Sequence, residues 1–103
     1  MTANIPNAER KTELLKHALK LAEKVGYQNL TRKQVTDAAG LVEGTLSYHF
    51  GTMPDFRREV LKHAIHEGNA VVVMQGIAAQ DRLCRDGKLD RALRSAALAT
   101  LGG

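Results

Sequence analysis

Short blocks of apolar residues, spaced three or four positions apart and separated by glycines, most constrain how this chain can fold. The first block runs from Leu14 to Val25 and stops at Gly26, and a second stops at Gly40. This spacing is the period of an α-helix that packs on one side, and a glycine just beyond the last apolar position is a common helix end. No segment indicates a β-strand. The sequence therefore predicts an all-α chain.

Capping residues and turn signals divide the chain into predicted helices. Thr31 and Thr52 carry hydroxyl side chains where helices can begin, and Asn7 can cap the first helix. The dipeptide Asp86-Gly87 indicates a turn late in the chain. The six predicted helices run from the Asn7 cap to Val25, over 32–39, over about 42–48, from 52 to the break at 68, over 70–85 and over 89–101. In the second of these helices, Val35, Ala38 and Ala39 are expected to form the buried face.

Composition limits the chain to one small globular domain with a modest core. The chain has 103 residues, of which 44% are hydrophobic and 25% are charged. Its single cysteine, Cys84, excludes an intramolecular disulfide, and the first residues lack an apolar signal region. The longest apolar run, 70–79, is about half of a membrane span. We therefore expect a cytoplasmic protein that does not enter a membrane. The formal net charge of +4 favours polyanions only mildly.

The segment around Gly40 predicts a helix-turn-helix. Gly40 can adopt a positive φ at little cost, and the small side chain of Ala39 lets the second helix approach the third closely. Leu41 and Leu46 are expected to point inward, which leaves the opposite face of the third helix exposed. That face carries short or planar polar groups that can reach base edges and phosphates in a major groove, namely Glu43, Thr45, Ser47, Tyr48 and His49.

The most distinctive stretch of the sequence is LTRKQVTDAAGLVEGTLSYHFGTMPDF, which follows a helix ending in VGYQNL. Its most specific part is AG, followed four residues on by GTL and then by HF. Over about residues 14–60 the chain resembles the DNA-binding domain of the TetR family of transcriptional repressors. The resemblance implies a three-helix DNA-binding head over 1–52. It also implies a connector and dimerisation region over 53–103, whose two or three further helices form a small bundle or dimer interface within one compact domain.

The resemblance also implies roles for individual residues. Thr31, Arg32 and Lys33 would hold DNA phosphates, since a helix N-terminus and two cations complement an anion. Glu43 could accept a hydrogen bond from a cytosine amino group, and Thr45 could contact a thymine methyl. Tyr48 and His49 correspond to positions that face the DNA backbone or the groove. The full set of expected DNA-binding residues is Thr31, Arg32, Lys33, Val42, Glu43, Gly44, Thr45, Ser47, Tyr48 and His49.

Three positions depart from the family pattern and weaken the expected grip on DNA. Val42 replaces the small hydroxyl residue that usually caps the third helix, and Ser47 replaces a tyrosine that commonly touches phosphate. Met53 replaces a lysine that usually helps to hold phosphate. Arg57 and Arg58, one turn further on, either compensate for that lysine or form a solvated helix face.

No motif indicates an enzyme, a cofactor or a metal site. The sequence contains no phosphate-binding glycine loop, nucleophile elbow or credible carboxylate pair. His63, His66 and Glu67 are close in sequence, but without a second ligand cluster we expect solvent-facing or capping histidines. Cys84 is expected to be a small buried residue, because no histidine lies near it in sequence to activate the thiol.

Two functions remain open from the sequence. The first is a homodimeric repressor of a bacterial or phage-infected cell, which occupies a palindromic double-stranded operator through helix 42–49. Only about fifty residues follow Thr52, too few to enclose an inducer pocket. Helices 70–85 and 89–101 are therefore expected to pair with a second copy, with closure of the chain's own core as the alternative. The second function is a helix-turn-helix module that modulates another protein and binds DNA weakly or not at all. That alternative gains if Asp37 and Glu43 neutralise the positive face.

Overall fold

Six α-helices make up most of the part of the chain that the computed structural model describes, residues 7–85 and 87–102. No strand occurs within these residues, so the predicted all-α fold is confirmed. No helix in this part is long and apolar enough to cross a membrane. The helices are α1 (Asn7–Val25), α2 (Arg32–Ala39), α3 (Glu43–Phe50), α4 (Met53–Glu67), α5 (Ala70–Ala78) and α6 (Arg91–Ala99), with 3₁₀ turns at Tyr27–Asn29, Arg82–Cys84 and Thr100–Gly102.

Side-chain caps begin α2 and α4, as predicted. The Thr31 hydroxyl accepts a hydrogen bond from the Gln34 N–H (3.2 Å), and the Gln34 side chain accepts one from the Thr31 N–H (3.1 Å). This reciprocal pair is a capping box. The Thr52 hydroxyl accepts a hydrogen bond from the Asp55 N–H at the start of α4. Neighbours in sequence therefore determine where both helices begin.

The predicted helix over 70–85 is wrong, because α5 already ends at Ala78. Gln80 takes a left-handed φ of 57°, and the Asp81 N–H donates a hydrogen bond to the Gly76 carbonyl of α5 (2.9 Å). The Asp81 side chain then caps the 3₁₀ turn Arg82–Cys84. The chain thus folds back against α5 instead of continuing along its axis.

Two smaller predictions are also wrong. The helix predicted over 89–101 starts only after Asp90, whose carboxylate accepts hydrogen bonds from the first backbone N–H groups of α6. In α2, Ala38 is exposed and Thr36 is fully buried. Thr36 can be buried because its hydroxyl donates to the Arg32 carbonyl (2.9 Å), which satisfies the polar group inside the helix.

The remaining predicted bounds differ by a residue or two. Asn7 is already helical, and α3 continues to Phe50. Of the predicted turn Asp86-Gly87, Asp86 lies outside the described residues, while Gly87 has a φ of 79°. A positive φ of this size is accessible to glycine at low cost, so the turn signal was correct for Gly87.

One continuous cluster of buried side chains connects the first three helices to the later ones. Phe50, at the end of α3, contacts Phe56 of α4 edge to face, with ring centroids 4.9 Å apart. The helix-turn-helix and the helices that follow it therefore share a single core. The buried apolar residues are Leu14, Ala18, Ala22, Tyr27, Leu30, Val35, Leu46, Phe56, Val60, Leu61, Ala64, Val72, Val73, Cys84 and Ala97.

Gly76 lets α5 approach α4 and the following 3₁₀ turn at short range. A Cβ atom at this position would lie 2.6 Å from the Cys84 Sγ and 2.9 Å from a Leu61 methyl carbon. Both distances are well inside ordinary contact. The absence of a side chain at Gly76 is thus a packing requirement rather than a backbone one.

The Gln75 side chain joins α5 to the end of α1. Its Nε2 donates to the Ala22 carbonyl (2.7 Å), and its Oε1 accepts from the Tyr27 N–H (2.8 Å). The Tyr27 hydroxyl in turn donates to the Asp81 carboxylate (3.0 Å). Burial and this hydrogen bond raise the pKa of Tyr27 far above its usual range. The phenol therefore stays protonated and continues to donate.

We expect Gly76→Ala to lower the free energy of unfolding by about 1–3 kcal/mol, because the new methyl overpacks the contact with Leu61 and Cys84. The matched control is Gly44→Ala in α3, where a Cβ would meet nothing within 4 Å. That change should raise the free energy of unfolding by up to about 1 kcal/mol through helix propensity. Urea unfolding measures both, and equal stability of the two variants would contradict the close approach at Gly76.

Candidate nucleic-acid interface

The turn between α2 and α3 leaves one face of α3 open to solvent. Gly40 ends α2 with a φ of 71°, and the Leu41 N–H donates to the Thr36 carbonyl (2.8 Å), which fixes the turn. Leu46 is fully buried and anchors the inner face of α3. On the opposite side the Tyr48 side chain is 76% exposed. We define the exposed α3 face as Glu43, Gly44, Ser47 and Tyr48, four of the residues that the sequence predicted to contact DNA.

The start of α3 lacks a side-chain cap, as the departure at Val42 suggested. Val42 occupies the N-cap position, is 75% exposed and accepts no hydrogen bond through its side chain. The backbone N–H groups in the first turn of α3 therefore lack the side-chain acceptor that a serine or threonine at position 42 would provide. Thr45 and His49, the other two expected residues on this helix, are half-buried at the edge of the exposed face.

The expected phosphate-binding residues of α2 differ in how available they are. Thr31 is exposed, but its hydroxyl and its N–H are both used in the capping box. Arg32 is half-buried, and its Nε has no hydrogen-bond partner among the described residues. Lys33 is exposed and pairs with Asp37 (3.1 Å). The hydrogen bond and charge of Asp37 raise the pKa of Lys33, and Glu43 adds to the effect, so acidic groups partly offset this cation.

Two cations of α1 lie beside the end of α3. The charges of Lys11 and Arg10 both lower the pKa of the His49 imidazole. The Lys11 Nζ lies 5.9 Å from the centre of the Phe50 ring. The Tyr48 and His49 rings contact edge to face, with centroids 5.0 Å apart. The first turn of α1 thus adds positive charge beside the end of α3, a helix that has no Lys or Arg of its own. No sequence pattern indicates this arrangement, because Lys11 and His49 are brought together only by the packing of α1 on α3.

The two arginines of α4 separate into different roles. The Arg57 guanidinium donates twice to the Leu30 carbonyl (2.9 and 3.3 Å), so it holds the segment before α2 in place. Arg57 therefore neither replaces the missing lysine nor belongs to a solvated helix face, the two alternatives drawn from the sequence. Arg58 is exposed and lies 3.6 Å from an Asp55 oxygen. Met53 is half-buried against the core and offers nothing in place of the lysine usual there.

Residues 14–60 match the family model of bacterial regulatory proteins, tetR family. This segment is a TetR-family N-terminal helix-turn-helix domain. The match covers the range over which the motif resembled that family, and the family consists of DNA-binding transcriptional regulators. Neither the curated proteins nor the solved structures include a significant match to the chain.

Outside the TetR-family domain, the one cysteine lies in a setting unsuited to nucleophilic chemistry. Cys84 is buried, its Sγ donates to the Val73 carbonyl (3.8 Å), and burial together with the charge of Asp81 raises its pKa to about 11. The thiol is therefore protonated at neutral pH. Among the described residues no group of three His, Cys, Asp or Glu side chains could hold a metal ion.

The imidazole of His49 provides a test of the contact between α1 and α3 in the TetR-family domain. Burial, followed by the charges of Lys11 and Arg10, lowers the pKa of His49 below its ordinary value of 6.5. Because the folded state binds fewer protons there than the unfolded state, His49 favours folding above pH 6.5, and this contribution is lost as the pH falls through the folded pKa.

We expect an NMR titration to place the midpoint of His49 below 6.5 and Lys11→Gln to raise it part of the way back. Lys16→Gln, an exposed lysine further along α1, should leave the midpoint unchanged. An unshifted midpoint in the wild type, or an equal response to both substitutions, would contradict the proximity of Lys11.

Proposed function

We propose that the protein is a sequence-specific transcriptional regulator that binds double-stranded DNA through the exposed α3 face. The observation that carries this proposal is the exposure of that face on a TetR-family helix-turn-helix domain. In this proposal Tyr48 on the exposed face and Thr45 at its edge contact bases, and Glu43 accepts from a cytosine amino group. Phosphates are contacted by Ser47 of α3 and by Thr31, Arg32 and Lys33 at the start of α2, with His49 at the edge of the groove.

The open space around Gly44 supports close contact with DNA. A Cβ at Gly44 would meet nothing within 4 Å inside the chain, so intramolecular packing does not require glycine here. A missing side chain on an exposed helix face lets a partner approach the backbone. Arg10 and Lys11 join the proposed phosphate contacts, because they flank His49 at the other end of α3. Lys11 is exposed, whereas Arg10 is half-buried and pairs with Glu13 (2.8 Å), so Lys11 supplies the freer of the two charges at this end of α3.

The proposed regulator is a homodimer. Three large apolar side chains of the later helices remain exposed in one chain: Val71 (42%), Leu98 (42%) and Leu101 (72%). Alanines on α6 permit close helix packing, and a second copy covering this surface would form a four-helix interface. In this proposal residues 1–52 form the DNA-binding head and 53–103 the connector and dimerisation region. Two heads would then read a palindromic operator whose half-sites are about one helical turn, or a multiple of it, apart.

The proposed regulator is cytoplasmic and represses transcription by occupying its operator. It works without a buried inducer pocket. The segment after Thr52 supports this, since much of its apolar surface already serves the shared core. Val60, Leu61 and Ala64 of α4 and Val72 and Val73 of α5 are fully buried in it. The same helices therefore have little apolar surface left to enclose a ligand.

Selection of bound sequences from a random duplex pool, at near-physiological salt, tests the proposed DNA binding. We expect an enriched palindromic site. The double variant Thr45→Ala, Tyr48→Ala should bind that site at least about 30-fold more weakly, because each of the two lost base contacts is worth about 1–3 kcal/mol. A double variant with Gln28→Ala and Lys24→Ala, exposed positions beyond the exposed α3 face, is the matched control and should bind as the wild type does. An enriched site that both double variants bind equally would exclude the exposed α3 face as the reading surface.

The charge balance of α2 favours a second candidate function, a helix-turn-helix module that binds and modulates another protein. Asp37 pairs with Lys33, and Glu43 lies near enough to act on the same cation. These carboxylates repel phosphate and reduce the positive bias of the face. If the pool yields no enriched sequence and only weak binding that disappears with added salt, the non-specific phosphate contribution is all that remains. The second function would then replace the first.

Sedimentation velocity at micromolar concentration tests the proposed homodimer. We expect a species of twice the 11.2 kDa chain mass in the wild type and a monomer for Leu98→Glu, Leu101→Glu, because buried carboxylates carry a high desolvation cost. Val42→Glu adds a carboxylate at an equally exposed apolar position of the head and should leave the dimer intact. A monomeric wild type, or equal dissociation of both variants, would contradict the proposed interface.

A further inference from the structure

The side chain of Val42 contributes little to the fold, although Val42 occupies the N-cap position of α3. Of the five helices whose N-cap residue the structure describes, α3 is the one that begins without a side-chain cap. A hydroxyl at this position would stabilise the helix. Among the large apolar side chains of the described residues, only that of Tyr48 is more exposed than that of Val42, at 76% against 75%. Val42 therefore neither caps the helix nor fills the core.

The first turn of α3 closes through the main chain alone. The Thr45 N–H donates to the Val42 carbonyl (3.0 Å), a contact that any residue at position 42 could supply. Single apolar side chains are common on protein surfaces, so exposure alone does not distinguish Val42. What distinguishes it is an exposed apolar group at a position where a polar group would stabilise the helix.

Val42 lies beside the residues that we propose to contact bases. It directly precedes Glu43, the first residue of the exposed α3 face, and Thr45 is three residues further on. An N-cap side chain is commonly directed toward this third helical position, as the Thr31 hydroxyl is toward the Gln34 N–H in α2. In a helix-turn-helix, the N-terminal residues of the second helix contact base edges in the major groove. Val42 is therefore at the end of α3 where bases are read.

An apolar side chain in the major groove distinguishes thymine from the other bases. Thymine presents its C5-methyl group there, and an apolar side chain contacts this group favourably. The other three bases carry no methyl group, and valine has no donor or acceptor to replace the water that their polar groups would lose. A serine at the same position could form hydrogen bonds with several bases. Valine thus lacks the capping hydroxyl but is more selective.

We propose that the side chain of Val42 contacts the C5-methyl group of a thymine and so specifies one base of the site that α3 reads. The inference rests on the proposed DNA binding and adds a specificity-determining residue to it. The departure from the family pattern at Val42 is then a change in the sequence that α3 reads as well as the loss of a cap.

Deoxyuridine lacks only the methyl group of thymine, so it tests this contact directly. The affinity of the wild type is measured for the duplex selected from the random pool, with deoxyuridine replacing each thymine in turn. We expect one of these replacements to weaken binding about fourfold, which corresponds to the burial of one methyl group. The same replacement should not affect Val42→Ser, whereas replacements at other thymines should affect the two proteins equally.

Three variants separate this role from a structural one. Val42→Ser should raise the midpoint of urea unfolding, because serine supplies the missing cap, while it removes the sensitivity to deoxyuridine. Val42→Ile keeps an apolar side chain and should retain that sensitivity. Val25→Ser changes an exposed valine at the end of α1 and is the matched control, which should respond to deoxyuridine as the wild type does.

The proposal is overturned if a site is enriched but the wild type and Val42→Ser respond alike to deoxyuridine at every thymine. That result would leave the proposed DNA binding of α3 intact. If no sequence is enriched, the proposed DNA binding itself fails, and the role of Val42 fails with it.

Discussion

The side-chain amide of Gln75 fixes how the first helices sit on the rest of the molecule. It donates to the last turn of α1 at Ala22 and accepts from the backbone of Tyr27, two groups roughly fifty residues away in sequence. Replacing it with an apolar side chain would leave the Tyr27 N–H without its partner in a partly buried site, at a cost of about 1–3 kcal/mol, while the Ala22 carbonyl would still accept from the Gly26 N–H (2.8 Å). Gly76, the next residue, then brings α5 close to α4. The position of the helix-turn-helix therefore depends on contacts made by a helix outside it.

The positive charge near the helix-turn-helix is divided between the two ends of α3. Near the start of α3, Lys33 of α2 forms an ion pair with Asp37. The charge of this lysine, which the motif assigned to a phosphate contact, is therefore partly neutralised. At the end of α3, Lys11 and Arg10 lie close enough to lower the pKa of His49. This arrangement supports a DNA contact that depends on α1 as well as on α2 and α3. It also explains how binding could survive where the sequence departs from the family pattern.

Features fixed by neighbouring residues could be predicted from the sequence, whereas features fixed by distant contacts could not. The caps at Thr31 and Thr52 and the left-handed turn at Gly40 follow from local chemistry, and all three were predicted correctly. The end of α5 at Ala78 escaped prediction, because an apolar run alone does not show where the chain folds back onto its own helix. The inward turn of Arg57 onto the Leu30 carbonyl escaped it for the same reason.

Amide chemical shifts of the labelled protein, recorded while a duplex is added, test most directly whether the exposed α3 face binds DNA. We predict that the largest changes fall on the first turn of α2, on residues 43–49 and on Arg10 and Lys11. Exposed positions of α5 and α6 should change little. If the largest changes fall on α5 and α6 while residues 43–49 keep their shifts, the account of α3 as the DNA-binding helix is contradicted.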